Sequence, residues 1–447
     1  MSDLKCVLCG SSEWQNVDEY RYKPKQMILC KSCAFVTYES AKDVDKLHDH
    51  YTHNYRPVPT SDNFMSSERK LHYHVAFLAD VIDQWKKEGK SPTVVELGAA
   101  LGMFLNWVRG IFPGSKDKIY GTELTESFVR VAYHMASIKL TDDFDDSLKY
   151  DLIMSYKVAE HMPDIDKQLA RYRSSMSDDG YLYISVPTWF KRLNNFGQGG
   201  YNIEDYYDPN HVNVWSVKQF EYLLKKSGFE IVKEDHHYYD DTYLCKKGTY
   251  ATDVYKEDTT TRLDQLKRIF DASKFFDQGM FEKACAAWSN FPVAQISRYE
   301  QNRQKAHQEG FDYIWDTYLD TAMKACENSH FILSHICDVL MRYEKYEKAI
   351  EVCNIWLENH PMDTQALFNI SHCLGQKANT ATSAKHKTHY ANEALKILKI
   401  VEANSHQRRY EAMTWRMHFA SMIPTPFEGK NVEHMTDEAD NVRPKPS

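Results

Sequence analysis

The chain has 447 residues, of which 43% are hydrophobic and 13% aromatic, and its formal net charge is -8. One hydrophobic core rarely organises this length, so we expect several domains. The apolar content excludes global disorder. The acidic balance lacks the uniform basic field that gives non-specific affinity for nucleic acid, which disfavours nucleic acid as a partner.

No stretch of the sequence approaches the ~20 consecutive apolar residues needed to cross a bilayer, and Met1 to Lys5 lack the apolar core of a secretory signal. Six cysteines stand singly in apolar or helical surroundings, as is typical of reduced thiols: Cys245, Cys285, Cys326, Cys337, Cys353 and Cys373. We therefore expect a cytoplasmic protein with no membrane contact.

Two Cys-x-x-Cys pairs lie near the N-terminus, Cys6 with Cys9 and Cys30 with Cys33. Pairs at this separation can place four thiolates around one tetrahedral Zn²⁺, each at about 2.3 Å. The pattern predicts a zinc ribbon, and four protein ligands leave no open position, so the Zn²⁺ is predicted to be structural. Two disulfides or unligated thiols are the alternative.

Helix-like segments alternate with short apolar runs over the next part of the chain, and this alternation predicts a parallel α/β sheet. The first segment with helical periodicity is residues 69–85. The strand-like runs are residues 93–97, 118–122, 150–154 and 181–186.

The third part of the chain, residues 262–423, is helical in pattern with little strand signal. Residues 280–284, with Pro292 beyond them, are echoed by residues 345–349 with Pro361 beyond them. The spacing is close to two periods of the ~34-residue tetratricopeptide unit, so this part resembles a degenerate tetratricopeptide array. Ordinary helical-bundle packing is the alternative.

Composition marks the boundaries between these parts. Residues 251–261 are polar, and the end of the chain is polar with several prolines, which predicts a disordered tail. We predict four segments: a zinc ribbon and connector at 1–54, the α/β domain at 55–250, the all-α tetratricopeptide-like domain at 262–423 and the tail at 424–447.

Glycines at the end of the first strand indicate a cofactor site. Gly98 and Gly102 stand where an apolar strand gives way to a helix, the place where open α/β sheets bind cofactors. Glu123, at the end of the next strand, can accept hydrogen bonds from both hydroxyls of a ribose. A nicotinamide dinucleotide site calls for Gly-x-Gly-x-x-Gly, which this loop does not offer.

These features together resemble the class I S-adenosylmethionine-dependent methyltransferases, in particular those with an N-terminal zinc ribbon and a tyrosine-rich connector, here residues 49–55. Five further blocks match in order over roughly the first 245 residues. They are residues 95–102, 150–154, 158–162, 179–187 and 227–230. The resemblance implies a Rossmann-like class I sheet that binds S-adenosylmethionine.

The resemblance also implies which residues bind the cofactor. The methionine end is assigned to Glu96, Gly98 and Gly102, and the ribose to Glu123. Asp143 or Phe144 is expected to flank the adenine. Ala100 replaces the usual middle glycine of the first block, and its methyl group is tolerable if its φ is negative.

The sulfonium cofactor is an activated methyl donor, so the protein mainly aligns the acceptor, and only a hydroxyl or weakly acidic carbon also needs a base. In the resembling family Glu160, His161 and His211 border the active site. We expect His211 to be the general base, with His161 as second choice. Helix capping, core polar pairing or a backbone-bonded loop histidine are the alternatives. Residues 194–207 are predicted to form an acceptor-binding lid or a plain solvent loop.

The predicted function is methyl transfer to a small-molecule or glycan acceptor of the sugar or nucleotide-sugar type. One alternative is a protein or peptide methyltransferase that recruits its acceptor through the C-terminal helices. Another is a non-catalytic scaffold, for which Ala100 is the sequence support. Methylation of nucleic-acid amino groups is disfavoured, because Ser155, Tyr156 and Lys157 stand where such enzymes have an Asn or Asp followed by Pro-Pro-Tyr.

Overall fold

A computed structural model describes most of the chain. The described residues are 4–17, 27–38, 49, 51–52, 71, 73–188, 211–236, 240–289, 291–326, 330–359, 363–405 and 408–422. The predicted lid at 194–207, the predicted tail at 424–447 and most of the connector lie outside them. The chain divides into two compact units, Met1–His335 and Ile336–Ser447. Among the described residues, no helix is both long and apolar enough to cross a membrane.

The first part of the chain contains both strands and helices. The strands are β1 Trp14–Asn16, β2 Met27–Cys30, β3 Val36–Tyr38, β4 Val94–Leu97, β5 Ile119–Gly121, β6 Tyr150–Tyr156, β7 Met176–Val186, β8 Asn213–Val214, β9 Phe229–His236 and β10 Asp241–Lys247. The helices of this region are α1 Ala79–Lys87, α2 Met103–Ile111, α3 Glu126–Ala136, α4 Ile165–Ser175 and α5 Val217–Lys226, with short 3₁₀ turns at Pro113–Ser115 and Ala159–His161.

The larger sheet has six strands in the order β5-β4-β6-β7-β10-β9. The first four strands are parallel, and β10 runs antiparallel to both of its neighbours. Strand β4 is buried throughout, as expected for a central parallel strand covered on both faces. Chain order reverses at β4, so its carboxyl end is the topological switch point where such sheets bind ligands. The predicted Rossmann-like α/β sheet is confirmed.

Two apolar clusters cover the two faces of this sheet. On one face, Ile153 and Leu182 pack with Phe220 of α5. On the other face, Leu152 and Tyr183 pack with helices α1 and α2. The alternation of neighbouring residues between the two clusters follows from the two-residue period of a strand.

A second, smaller sheet has the order β1-β2-β3-β8 and is antiparallel. Its first three strands belong to the N-terminal region that carries the cysteine pairs, which we call the tetracysteine module (residues 4–17 and 27–38). Its fourth strand, β8, comes from beyond β7 in the chain, with Thr37 opposite Asn213. The Thr37 hydroxyl also donates a hydrogen bond to the carbonyl of Val212.

The tetracysteine module shares its core with the α/β sheet. Trp215 is fully buried, with its ring 6.4 Å from Phe35 of the module and 4.9 Å from Phe220 of α5. Lys226 at the end of α5 donates to the carbonyls of Val7 (2.9 Å) and Leu8 (2.8 Å). The module is therefore packed as part of the same body as the α/β sheet.

The described residues beyond 258 are mainly helical, as predicted. The helices are α6 Thr259–Asp277, α7 Phe281–Ala287, α8 Pro292–Gln301, α9 Arg303–Glu309, α10 Phe311–Ile314, α11 Asp320–Ala325, α12 His330–Arg342, α13 Tyr346–Asn359, α14 Thr364–Thr380, α15 Ala384–Asn404 and α16 Arg409–Ala420, with a π-helical turn at Trp315–Leu319. The two echoed sequence blocks lie at the starts of α7 and α13. The tetratricopeptide assignment and the four domain boundaries stay predictions.

Substitution of two glycines of the α/β domain by alanine is predicted to change the free energy of unfolding in opposite directions. A methyl group on Gly121 of β5 would lie 2.6 Å from side-chain atoms of the buried Leu105 and Leu140, whereas Gly110 of α2 has open space around it. We expect Gly121→Ala to lower the free energy of unfolding by about 1–3 kcal/mol through overpacking.

Gly110→Ala is the matched control. Alanine is the better helix former, so this variant should raise the free energy of unfolding by about 0.5–1 kcal/mol. Urea-induced unfolding followed by tryptophan fluorescence measures both changes. Equal midpoints for the two variants would contradict the packing described for β5.

Candidate functional site

The loop between β4 and α2 has the backbone conformation that a close ligand approach requires. Gly98 and Gly102 have φ values of +63° and +67°, which glycine adopts without steric cost. A methyl group on Gly98 would also lie 2.6 Å from Cγ2 of Val158, the residue that precedes the turn Ala159–His161. Conformation and space both demand glycine at position 98.

Ala100 lies in the same loop with a φ of +48°. A methyl group at this position was expected to be tolerable with a negative φ, and the φ of Ala100 is positive. A left-handed conformation costs a residue with a Cβ about 1–2 kcal/mol. The backbone N–H of Ala100 donates to Oε2 of Glu123 at 2.9 Å, and this charge-assisted hydrogen bond offsets part of that cost.

Glu123 joins the ends of two neighbouring strands. While Oε2 accepts from Ala100, Oε1 accepts from the backbone N–H of Thr125 at 2.8 Å. Each carboxylate oxygen can accept more than one hydrogen bond, so both keep capacity for a hydroxyl donor. The carboxylate is thus fixed at the switch point with lone pairs left over.

The other predicted cofactor residues differ in their exposure. Glu96 is buried within β4, opposite Gly121 of β5. Asp143 is exposed, and its Oδ1 accepts from the N–H of Phe144 at 2.8 Å. Phe144 is 6% exposed because its ring packs against Tyr150 at 5.3 Å, so it belongs mainly to the core. The cofactor contacts assigned to these three residues stay predictions.

The three predicted catalytic residues come together beyond β6. Nitrogen and oxygen atoms of Glu160, His161 and His211 all lie within 4.8 Å of one another. Oε1 of Glu160 is 3.9 Å from Nε2 of His161, and the two histidine rings are 4.4 Å apart at 72°. Glu160 is buried, while both histidines are half-buried. We call this group the histidine cluster.

The tetracysteine module positions the histidine cluster through strand β8. The buried side-chain amide of Asn213 donates to the carbonyls of Ala159 (3.2 Å) and Met162 (2.7 Å), which bracket the turn that carries Glu160 and His161. His211 lies two residues before Asn213 in the chain. The pairing of β8 with β3 therefore fixes both halves of the cluster.

Tyr51 of the connector also belongs to the site, and the sequence did not predict this role. Its hydroxyl is 2.6 Å from Nδ1 of His161, and its backbone carbonyl accepts from the hydroxyl of Thr125 at 3.2 Å. It therefore connects the histidine cluster with the segment that begins at Glu123. The tyrosine-rich pattern was the available signal, but it does not say which tyrosine reaches the site.

A buried polar network involves Tyr156 at the carboxyl end of β6 and Tyr183 within β7. The hydroxyl of Tyr156 donates to Asp240 at 2.8 Å, and Lys157 pairs with the same carboxylate at 3.1 Å. The hydroxyl of Tyr183 is 2.7 Å from Nδ1 of His74. Burial raises the pKa of both tyrosines well above its usual value, so they stay neutral and available as hydrogen-bond donors.

The four cysteines of the tetracysteine module converge on one point. The sulfur atoms of Cys6 and Cys33 are 3.5 Å apart, as are those of Cys9 and Cys30, and all four lie within 4.8 Å of one another. These separations are far longer than the ~2.05 Å of a disulfide bond. The arrangement is that of a four-thiolate metal site, which is the donor set of structural zinc.

Comparison with known proteins identifies the central segment. Residues 69–234, less than half of the chain, match the family model of a methyltransferase domain. None of the curated proteins compared matches the chain significantly.

Several solved structures are similar at low identity. One is the magnesium protoporphyrin IX methyltransferase of Synechocystis with bound SAH (16% identity, 46% of this chain and 100% of that chain, TM-score 0.33). Another is a SAM-dependent methyltransferase from Aquifex aeolicus (15%, 37% and 88%, TM-score 0.28). A third is an O-methyltransferase family protein from Burkholderia thailandensis (13%, 45% and 62%, TM-score 0.32).

Removal of one thiolate tests the metal site. We expect the tetracysteine module to hold one zinc in the wild-type protein and to lose it in Cys30→Ser, since a serine hydroxyl is a poor ligand for zinc. Elemental analysis of purified protein measures the metal. Cys285→Ser, at a half-buried thiol outside the module, is the control and should retain the full zinc content. A zinc-free wild-type chain that keeps its fold would contradict the assignment.

Proposed function

We propose that the chain is an S-adenosylmethionine-dependent methyltransferase that acts on a small-molecule or glycan acceptor of the sugar or nucleotide-sugar type. One observation carries the cofactor assignment. The Glu123 carboxylate is held at the carboxyl end of β5 by the backbone of the β4–α2 loop, at the switch point of the sheet. In that place it can accept hydrogen bonds from two ribose hydroxyls.

The β4–α2 loop would hold the methionine end of the cofactor. Gly98 and Gly102 leave room for a close approach, Ala100 lies between them in the loop, and Glu96 precedes the loop within β4. Asp143, exposed beyond the parallel bridge of Thr122 with Thr141, is the more accessible of the two residues assigned to the adenine. When bound, the sulfonium supplies an activated methyl group, so the protein needs to align the acceptor and exclude water.

The contacts of the histidine cluster support His211 as the general base. Nδ1 of His161 is engaged by Tyr51, and Nε2 of His161 faces the buried Glu160. His211 is half-buried and lies against the His161 ring. In this proposal His211 removes a proton from the acceptor, His161 is the second choice for that role, and Glu160 stabilises positive charge on His161. The proposed zinc is structural because its four ligands close the site.

Two other functions are alternatives to this proposal. The described helices beyond residue 258 are the elements that would recruit a protein or peptide acceptor, as helical arrays do. The positive φ of Ala100 favours a scaffold that has kept the fold without catalysis, since the alanine strains the loop that would meet the cofactor. Each predicts a different outcome in the experiments below.

Cofactor binding tests the assignment of Glu123. We expect S-adenosylmethionine to bind the wild-type chain in calorimetric titration, and Glu123→Gln to weaken the binding about tenfold or more, since hydrogen bonds to a charged group contribute roughly 1.5–3 kcal/mol.

Glu126→Gln is the matched control, because Glu126 is exposed on the helix that follows and pairs only weakly with Arg130 at the surface. Its affinity for S-adenosylmethionine should equal that of the wild type. Failure of the folded, zinc-loaded chain to bind S-adenosylmethionine would support the scaffold.

Methyl transfer tests the acceptor class and the base. With methyl-labelled S-adenosylmethionine and a panel of nucleotide-linked sugars and oligosaccharides, we expect label in at least one member of the panel. His211→Gln should slow transfer to a hydroxyl acceptor by ~10²-fold or more while leaving cofactor affinity unchanged. His134→Gln, at an exposed histidine of α3, should match the wild type. If the label enters a member of a peptide panel and none of the sugars, the result would instead support a protein or peptide methyltransferase.

A further inference from the structure

A further group of side chains of the kind that bind metals lies apart from the tetracysteine module and the histidine cluster, on the α5 side of the sheet edge. It consists of Glu221 on α5 with Glu234 and His236 on β9, and its potential ligand atoms all lie within 4.8 Å of one another. Nε2 of His236 is 3.7 Å from Oε1 of Glu234. Three donors from two elements thus converge on one point.

A buried carboxylate holds His236 in a fixed orientation. Nδ1 of His236 is 2.7 Å from Oδ1 of Asp241, which lies opposite it on β10 and has a fully buried side chain. When Nδ1–H donates to this carboxylate, the lone pair of Nε2 faces the two glutamates. Histidines that bind metals are oriented in this way by a carboxylate behind them.

Tyr243 gives an independent indication of a missing ligand. Its side chain is fully buried, and its hydroxyl has no hydrogen-bond partner within the described part of the chain. The residue lies opposite Glu234 in the β9–β10 ladder, with its ring 5.8 Å from that of His236. Residues 241 and 243 are two apart on β10, so the side chain of Tyr243 lies on the same face of the sheet as those of Asp241, Glu234 and His236.

The charges of the group also favour a cation. Carboxylate oxygens of Glu221 and Glu234 lie within 4.8 Å of each other, so a cation between them would reduce their mutual repulsion. Two carboxylates that repel each other beside an oriented imidazole form a nitrogen and oxygen donor set suited to divalent transition metals.

We propose that Glu221, Glu234 and His236 bind a divalent transition-metal ion such as Zn²⁺, with Asp241 as the positioning residue behind His236. Three protein ligands leave coordination positions open to water or to an oxygen of a bound molecule, unlike the closed tetracysteine site. A metal-bound water supplies the kind of hydrogen-bond partner that the Tyr243 hydroxyl lacks. The proposal does not depend on methyl transfer.

Cobalt titration of the full-length protein tests this site directly. One equivalent of zinc per chain is first supplied to fill the tetracysteine site, and Co²⁺ is then added while visible absorbance is recorded. We expect one further equivalent of Co²⁺ to bind with d–d bands and without the intense near-ultraviolet bands of thiolate coordination. Glu234→Gln should weaken this equivalent at least about tenfold and leave the zinc content of the tetracysteine site unchanged.

Glu230→Gln is the matched control, because Glu230 is also exposed on β9 but does not belong to the group. It should bind cobalt as the wild type does. Absence of a further equivalent in the wild type, or equal cobalt affinity in Glu234→Gln and the wild type, would overturn the proposal. Both readouts measure metal alone, so they stand whether or not the chain binds S-adenosylmethionine.

Discussion

The short pairing between β3 and β8 is the contact on which the proposed active site depends. It consists of two residue pairs, Val36 with Val214 and Thr37 with Asn213. Through it, the N-terminal module fixes the strand whose Asn213 side chain clamps the turn bearing Glu160 and His161, and whose preceding residues include His211. The proposed structural metal thereby acts on the geometry of a site to which it contributes no ligand.

The proposed cofactor and acceptor sides are joined by a second short path. Tyr51 contacts His161 with its hydroxyl and Thr125 with its carbonyl, and Thr125 in turn donates its N–H to Glu123. Glu123 fixes the strained Ala100. A change in the β4–α2 loop on cofactor binding would therefore be transmitted through Tyr51 to His161, because each link up to His161 is a direct hydrogen bond.

The sequence predicted those features that depend on local pattern. Apolar runs predicted the four parallel strands of the sheet but not β9 and β10, and the resemblance drew attention to Glu160, His161 and His211, which the structure brings together. Long-range pairing was not predictable, because the two-residue strand β8 has no periodicity to detect. The φ of Ala100 was equally inaccessible, since the Ala100 N–H donates to Glu123, a residue that follows a different strand. The site around His236 was missed because its members come from separate elements.

The position of β8 in the chain has a consequence for biosynthesis. The cysteine pairs leave the ribosome before the α/β domain does, yet the bond from Thr37 to Val212 spans 175 residues. The N-terminal sheet cannot gain its fourth strand until most of the α/β domain has been translated. Nascent chains must therefore carry the module with an unpaired β3 edge during that interval, and such an edge is open to wrong pairing with other strands. Early capture of metal by the cysteines would limit that exposure.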